Sequence, residues 1–181
     1  KVREAFALAF DAESWARDVD GSLSLPTWTW IPPGYPGYDA ASPLHFDPEA
    51  AKAALAAASE PFNSAEKLNA MGLKMAFADS ARNRQRHEWI AAQYKEILGV
   101  DLALDPVEPT TYTAIQKDPD TYPLLSRGGW CADYADQQNW LSVYWKSTTT
   151  FADRIGYVGK EFDGFIDQAD VEGDPAKRAE L

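Results

Sequence analysis

Residues 127–136 carry the side chains best suited to bind a small charged molecule. Their sequence is Arg-Gly-Gly-Trp-Cys-Ala-Asp-Tyr-Ala-Asp, which places a cation, a large aromatic face and a carboxylate within seven residues. These groups belong to Arg127, Trp130 and Asp133, and together they suit a zwitterion with a short apolar body. The two adjacent glycines carry no side chain, so a ligand backbone could approach closely.

The same residues also allow a purely structural interpretation. Trp130 could lie in the core, Arg127 and Asp133 could pair with each other, and Asp136 could simply cap a helix. Composition alone does not decide between the two interpretations. For Cys131 we expect a small buried thiol beside Trp130, since free cysteine behaves as a small apolar residue.

The flanking segments predict that this run begins where a strand ends. Residues 122–126 are extended and mostly apolar, which indicates a strand, and residues 136–146 have the pattern of a helix. Open α/β sheets usually bind their ligands at the carboxyl ends of strands. The sequence therefore predicts a ligand-binding loop at this junction.

Upstream of the run, predicted strands and helices alternate. Residues 73–77 and 100–104 alternate apolar and polar side chains as strands do. Residues 80–98 between them predict a helix, with Gly99 as its C-cap residue, and residues 110–117 predict a short helix. The order β-α-β-α-β predicts an α/β fold whose adjacent parallel strands are joined by right-handed crossovers.

Further helices are predicted towards both ends of the chain. Residues 2–10 have apolar side chains at helical spacing, and residues 162–169 have the pattern of another amphipathic helix. Asp47 and Pro48 predict a helix start, because Asp47 can cap free N–H groups and proline fits the first turn. The Asp-Pro pair at residues 174–175 opens a last, short helix.

Composition excludes several classes of function. The formal charge of −11 argues against a nucleic-acid partner and against an anionic membrane surface. A single cysteine excludes an intrachain disulfide, and no apolar run approaches the roughly 18 residues of a membrane span.

The chain also lacks the sequence patterns of catalytic and metal sites. His45 and His87 have no metal-ligand spacing with each other or with Cys131, so we expect no metal and no other cofactor. No nucleophile elbow and no phosphate loop occurs. The sequence therefore predicts a protein that is not an enzyme.

The motif Arg-x-Gly-Trp-Cys-Ala-Asp-Tyr, which starts at Arg127, resembles the ligand loop of a known family. That family comprises the oligopeptide- and dipeptide-binding proteins that feed ABC importers, the extracellular solute-binding proteins of family 5. Other segments that are similar to the family occur in the same order and spacing at residues 2–11, 31–34, 46–52, 156–157 and 161–163.

The resemblance implies both a fold and a function. The fold would be the C-terminal lobe of a type II periplasmic-binding-protein-like protein, with a mixed, mostly parallel sheet flanked by helices. The function would be to bind short peptides between two lobes and to deliver them to the permease of an ABC transporter. Such receptors are periplasmic or extracellular and associated with the cell surface.

The resemblance also assigns a role to each candidate site residue. Asp133 matches the position that pairs with the α-ammonium group of the peptide. Trp130 and Cys131 match residues whose main chain bonds the peptide backbone, and Arg127 matches one that can meet the carboxylate of short peptides. Asn83 falls near a position that is a histidine in some members, a difference that bears on peptide length.

The two ends of the chain suggest a part of a larger protein. Its first residues run directly into a helical pattern, and its last helix stops after barely two turns. We therefore expect residues 1–181 to form a single α/β lobe, excised or trimmed from a longer two-lobed receptor whose N-terminal lobe is missing here.

A carbohydrate-binding or carbohydrate-active domain is the alternative hypothesis. It rests on aromatic residues in and around a long proline-rich loop, residues 21–46, and predicts that several rings are exposed in one groove. The peptide hypothesis instead requires an Asp133 carboxylate that is open to solvent, and a plain interaction domain requires neither. The rings in question are Trp28, Trp30, Tyr35, Tyr38, Trp140 and Trp145.

Overall fold

A three-stranded parallel sheet organises the first part of the chain in the computed structural model, which describes residues 1–181. Its strands are β1 (Lys74–Ala78), β2 (Ala103–Val107) and β3 (Leu125–Ser126), in the spatial order β2-β1-β3. Both neighbours run parallel to β1, which confirms the predicted parallel pairing. The last two strands are not adjacent, because β3 pairs with the other edge of β1.

Helices make up most of the remaining ordered structure. Those before β3 are α1 (Val2–Leu8), α2 (Ala12–Ser14), a π-helical turn (Trp15–Val19), α3 (Pro48–Ala56), α4 (Ala65–Ala70), α5 (Ala81–Leu98) and α6 (Pro109–Ile115). Those after β3 are α7 (Gln137–Trp140), α8 (Ser142–Trp145), α9 (Thr150–Arg154), α10 (Lys160–Val171) and α11 (Pro175–Glu180). None of these helices combines the length and the apolar character that crossing a bilayer requires.

The chain divides into two compact units. The first contains the sheet and consists of Lys1–Trp28, Ser42–Thr113 and Pro123–Arg127. The second consists of Thr29–Ala41, Ala114–Tyr122 and Gly128–Leu181. That residues 1–181 belong to one lobe of a larger receptor stays a prediction.

The core of the first unit is built by helices packed on the sheet. Helix α1 packs on α3, and α5 follows β1 and packs against it. The buried apolar side chains are Ala5, Leu8, Ala9, Ala51, Ala54, Leu55, Leu68, Met75, Ile90, Leu98, Val100 and Leu102. Their burial supplies most of the driving force for folding of this unit.

Local signals in the sequence set the ends of α5 as predicted. The Ser80 hydroxyl accepts a hydrogen bond from the N–H of Asn83 at 3.1 Å, which caps the first turn. The helix ends at Gly99, whose φ of +72° lies in the left-handed region that favours glycine.

The predicted position of the second strand is wrong by a few residues. The alternating pattern favours residues 100–104, but the strand forms over Ala103–Val107. Val100 and Leu102 are instead buried in the core ahead of the strand. Pro106 argues against a strand here, but β2 is an edge strand, where the missing N–H group is tolerated.

Three other elements also differ from the predictions. The strand expected over residues 122–126 pairs with β1 only at Leu125–Ser126. The helix expected over residues 136–146 is interrupted at Leu141, where the backbone bends between α7 and α8. Helix α4 was not predicted, because its single buried side chain, Leu68, gives no periodic signal.

In the second unit, the proline-rich segment packs through its aromatic rings. Residues 21–46 contain no helix or strand, as predicted. The Trp30 indole N–H donates to the Trp140 carbonyl at 2.7 Å, and the Trp30 ring contacts Tyr144 and Trp145. A Cβ on Gly37 would lie 2.7 Å from the Gln137 side chain, so this approach requires a glycine.

Removing the cap of α3 should destabilise the first unit. The Asp47 carboxylate accepts from the N–H groups of Glu49 and Ala50 at 3.1 and 2.9 Å. We expect Asp47→Ala to lower the free energy of unfolding by about 1 kcal/mol in urea denaturation. The control is Glu49→Ala, which removes a charge from the same turn but no cap, and should cost less. Equal losses would contradict the capping role.

Candidate functional site

The chain leaves the sheet at the predicted place. Strand β3 ends at Ser126, and Arg127 is the last residue of the first unit, at the carboxyl end of that strand. Asn83 also belongs to the first unit, whereas Trp130, Cys131 and Asp133 belong to the second. The candidate residues are therefore described within the unit that holds each of them.

Trp130 is anchored inside the second unit by a hydrogen bond and by two ring contacts. Its indole N–H donates to the Asn139 side-chain oxygen at 2.7 Å. Its ring meets Tyr144 and Phe151 edge-on, with centroids 5.4 and 5.0 Å apart. The two rings stand at 71° and 72° to the indole plane, and Trp130 remains only partly buried.

Asp133 is held through its backbone, whereas its carboxylate is free. The Asp133 main-chain N–H donates to the same Asn139 oxygen at 3.2 Å. The residue is exposed, its carboxylate forms no ion pair, and it caps no helix. Asp136 is the residue that caps α7, through a hydrogen bond from the Gln138 N–H at 2.8 Å. Asp136 thus caps the helix, as the structural interpretation expected, whereas Asp133 does not.

Cys131 is exposed, so the expectation of a buried thiol was wrong. Tyr144 and Phe151 pack on the Trp130 ring, and neither covers the thiol of Cys131. No backbone–backbone hydrogen bond involves the main-chain N–H and carbonyl groups of Trp130 or Cys131. They remain available to another backbone.

Arg127 is a cation without an ion-pair partner. The residue is exposed as a whole, but partial burial of its guanidinium is the main factor that lowers its pKa. The positive charge of Arg86 lowers the pKa further, while the carboxylate of Asp20 acts in the opposite direction. An anion brought to Arg127 would relieve this unfavourable environment.

Arg127 also borders a cavity of about 360 Å³ in the first unit. Phe10, Trp15, Ile90 and Tyr94 contribute most of its apolar wall. Burial in this wall raises the pKa of the Tyr94 hydroxyl to about 12, so the hydroxyl stays neutral.

Asn83 closes the junction between β1 and α5. Its side-chain N–H donates to the Ala78 carbonyl at 2.8 Å, and its own carbonyl accepts from His87 at 2.7 Å. The His87 ring is buried and stacked on Phe77 at 4.1 Å, and this burial lowers its pKa. His87 is therefore a neutral core residue, and the Asn83 amide already has a backbone partner.

Asn139 and Phe151 are the site residues that sequence reasoning missed. Asn139 is 0% exposed and holds both Trp130 and Asp133, while Phe151 packs on the Trp130 ring. An asparagine next to Trp140 on the inner face of a short helix was the available signal. No group of three or more His, Cys, Asp or Glu residues could hold a metal ion.

An ion pair beside Arg127 predicts a stability change in acid. The Asp20 and Arg86 side chains are 15% and 12% exposed and lie 2.7 Å apart, and the hydrogen bond from Arg86 lowers the pKa of Asp20. A carboxyl group whose pKa is lowered by folding stabilises the folded state at pH values above its unfolded-state pKa of about 4. This stabilisation is lost as the pH falls through the folded-state pKa. We expect Asp20→Asn to cost about 2 kcal/mol at pH 7.

The difference between Asp20→Asn and the parent protein should shrink as urea denaturation is repeated at pH values falling below about 4. Asp18→Asn is the matched control, because Asp18 pairs with Arg17 at the exposed surface and should matter much less. A pH-independent difference would show that Asp20 acts through packing and not through its charge.

The fold and the strand-end loop are those of a lobe of a solute-binding receptor. Residues 1–152 match the family described as bacterial extracellular solute-binding proteins, family 5 Middle. The chain therefore belongs to this family, as its resemblance to the ligand loop indicated.

Proteins of known function resemble the chain over nearly all of its length. It is 25% identical over 183 residues to the oligopeptide-binding protein OppA of Bacillus subtilis, covering 99% of this chain and 33% of that protein. It is 27% identical over 186 residues to the dipeptide-binding protein DppE of the same organism, covering 99% and 33%. The chain thus spans about a third of the length of these relatives.

A solved structure confirms the predicted fold class. The periplasmic oligopeptide-binding protein OppAIV of Borrelia burgdorferi superimposes with a TM-score of 0.81 at 31% identity, over 99% of this chain and 34% of that chain. The α/β lobe of the periplasmic-binding-protein type is thereby established, with a sheet that is wholly parallel.

Proposed function

We propose that this chain is the peptide-binding part of a substrate receptor for an ABC importer. The receptor would capture short peptides and deliver them to a membrane permease. Family membership supports this, as do relatives named for oligopeptide and dipeptide binding. The proposal includes a binding role without catalysis, since the relatives are binding proteins.

The observation that carries the proposal is the state of Asp133. Its backbone is fixed by Asn139, while its carboxylate is exposed and has no cationic partner. A positioned but unpaired carboxylate is what a peptide α-ammonium group requires, because a buried ammonium must be compensated by charge and hydrogen bonds. We assign Asp133 this role.

Two further assignments follow from other groups of the chain that lack partners. The unbonded main-chain groups of Trp130 and Cys131 suit hydrogen bonds to a peptide backbone, in the manner of an added β-strand. In the first unit, the unpaired and partly desolvated Arg127 suits a ligand carboxylate. Asn83 would act mainly by shaping the start of α5.

We further propose that residues 1–181 are one lobe of a two-lobed receptor. The chain covers about a third of each relative, which leaves about two thirds of their length for a second lobe. The family description and a relative named as a periplasmic oligopeptide-binding protein support a periplasmic or extracellular location at the cell surface.

The carbohydrate hypothesis is not supported by the aromatic residues on which it depended. It required several exposed rings in one groove, whereas Trp140 is buried and the other five rings are all partly buried. Trp30 and Tyr35 pack against Trp140, so these rings stabilise the second unit. The aromatic segment therefore has a structural role.

The Asp133→Asn substitution tests the proposed ammonium site in the intact receptor. The substitution keeps the shape of the side chain and removes its charge. We expect the affinity for the tightest-binding member of an alanine di- to pentapeptide series to fall by roughly 2–5 kcal/mol. The melting temperature should hardly change, since the carboxylate of Asp133 forms no ion pair. Titration calorimetry measures the affinity, and scanning calorimetry of the same preparation measures the melting temperature.

Two controls make this experiment decisive. Asp153→Asn removes another exposed, unpaired carboxylate from the same unit and should leave affinity unchanged. An N-acetylated peptide lacks the ammonium group and should bind the parent protein as weakly as the free peptide binds Asp133→Asn. If acetylation has no effect, Asp133 does not bind the ammonium.

Residues 1–181 on their own should bind peptides poorly. A single lobe supplies part of the contacts and does not exclude water from the ion pair, which weakens it. We expect millimolar affinity or none in calorimetry with the same peptide series. Micromolar affinity would mean that this chain contains a complete site, and the two-lobe proposal would be wrong.

A further inference from the structure

One buried oxygen atom links the two best candidate residues of the ligand loop. The side-chain oxygen of Asn139 accepts from the Trp130 indole N–H at 2.7 Å and from the Asp133 main-chain N–H at 3.2 Å. An amide oxygen has two lone pairs, so these two bonds use its full capacity. Asn139 itself is 0% exposed, so water does not compete for either bond.

The orientation of this amide follows from its neighbours. Turning the Asn139 amide over would point its NH₂ group at two other N–H donors, which is unfavourable. In the observed orientation the NH₂ group is buried and has no hydrogen-bond partner. An unpaired buried donor destabilises the fold, so the amide is not explained by stability alone.

The helix that carries Asn139 is fixed by contacts that do not involve the loop. The Asp136 carboxylate caps α7 and also forms two hydrogen bonds with the guanidinium of Arg178, at 2.8 and 2.9 Å. The Gln137 side-chain N–H donates to the Arg178 carbonyl at 2.8 Å. Helix α7 is therefore tied to α11, and Asn139 is presented to the loop from a rigid support.

The loop has few other restraints on the side of Asp133. Gly129 lies in open space, where a Cβ would meet no other atom within 4 Å, and Cys131 is exposed. The next backbone bond along the chain is the one from the Asp136 N–H to the Tyr134 carbonyl. The Asn139 oxygen is thus the contact that holds the Asp133 main chain, while the next residue is held through its side chain, since the Tyr134 hydroxyl donates to the Gln138 side-chain oxygen at 2.9 Å.

We propose that Asn139 is a positioning residue of the peptide site, which pre-organises Trp130 and Asp133 through a single acceptor atom. This inference rests on the function proposed above. Asn139 does not touch the ligand. It restricts the motion of the loop before a peptide binds. Binding then costs less conformational entropy, and the affinity is higher.

Two substitutions separate positioning from general stability. Asn139→Leu keeps a similar volume but removes the acceptor, whereas Asn139→Asp keeps an oxygen at the same place. Burial raises the pKa of a carboxyl group at this position, and its neutral form still offers a carbonyl oxygen. Ile166→Val is the control for stability, because Ile166 is a buried apolar residue of α10 in the same unit and its side chain forms no hydrogen bond with the loop or with α7.

The affinity of the intact receptor for the alanine peptide series is the first readout. We expect Asn139→Leu to weaken binding about tenfold or more, by loss of pre-organisation. Asn139→Asp and Ile166→Val should stay within about threefold of the parent protein, even where their melting temperatures fall. If affinity instead follows melting temperature across the three variants, the positioning role is wrong.

Hydrogen exchange followed by mass spectrometry, without peptide, is the second readout. Asn139→Leu should speed exchange in the segment covering residues 130–136, whereas Asn139→Asp and Ile166→Val should not. Unchanged exchange in Asn139→Leu would overturn the inference, whatever its effect on peptide affinity. Faster exchange in Asn139→Leu, together with a parent receptor that binds no peptide, would instead overturn the proposed function and leave the loop-holding role of Asn139 in place.

Discussion

A carboxylate that is to bind a ligand charge cannot also be held in place by an ion pair of its own. The chain meets this constraint by holding Asp133 through its main-chain N–H and leaving its side chain without a partner. The anchor is the buried Asn139, on a helix tied to the last helix by Arg178. The position of the charge and its availability are thus supplied by different groups of atoms.

The two units satisfy different packing requirements. In the first, apolar helix faces cover a small parallel sheet, as sheets of this kind require. In the second, aromatic rings take the place of a sheet, and the proline-rich segment contributes Trp30 to that cluster. Rings that pack edge-on fill irregular space well, which allows short helices to support the ligand loop.

In the first unit, a cation without an ion-pair partner lies near a largely buried ion pair. Asp20 is engaged by Arg86, with which it forms a largely buried pair. Arg127 has no such partner, and burial and the nearby positive charge lower its pKa. The proposed binding of a ligand carboxylate by Arg127 rests on this unpaired guanidinium.

Sequence alone determined the features that depend on neighbouring residues. The sequence predicted the helix cap of Asp47, the helix end at Gly99, the parallel pairing of the strands and the family loop, because each rests on local geometry or on the order of short patterns. The roles assigned to the site residues remain proposals. These assignments rest on the resemblance of the loop motif to the family and not on the periodicity of the sequence.

Only the tertiary structure decided the features that depend on distant partners. The Asp20–Arg86 pair joins residues 66 positions apart, and no local pattern predicts it. Strand β2 starts at Ala103 because the residues before it are buried. Cys131 is exposed because the rings that pack on the neighbouring Trp130 do not cover its thiol. Asn139 could be recognised only in three dimensions, because packing brings to its buried amide the donors with which it forms hydrogen bonds.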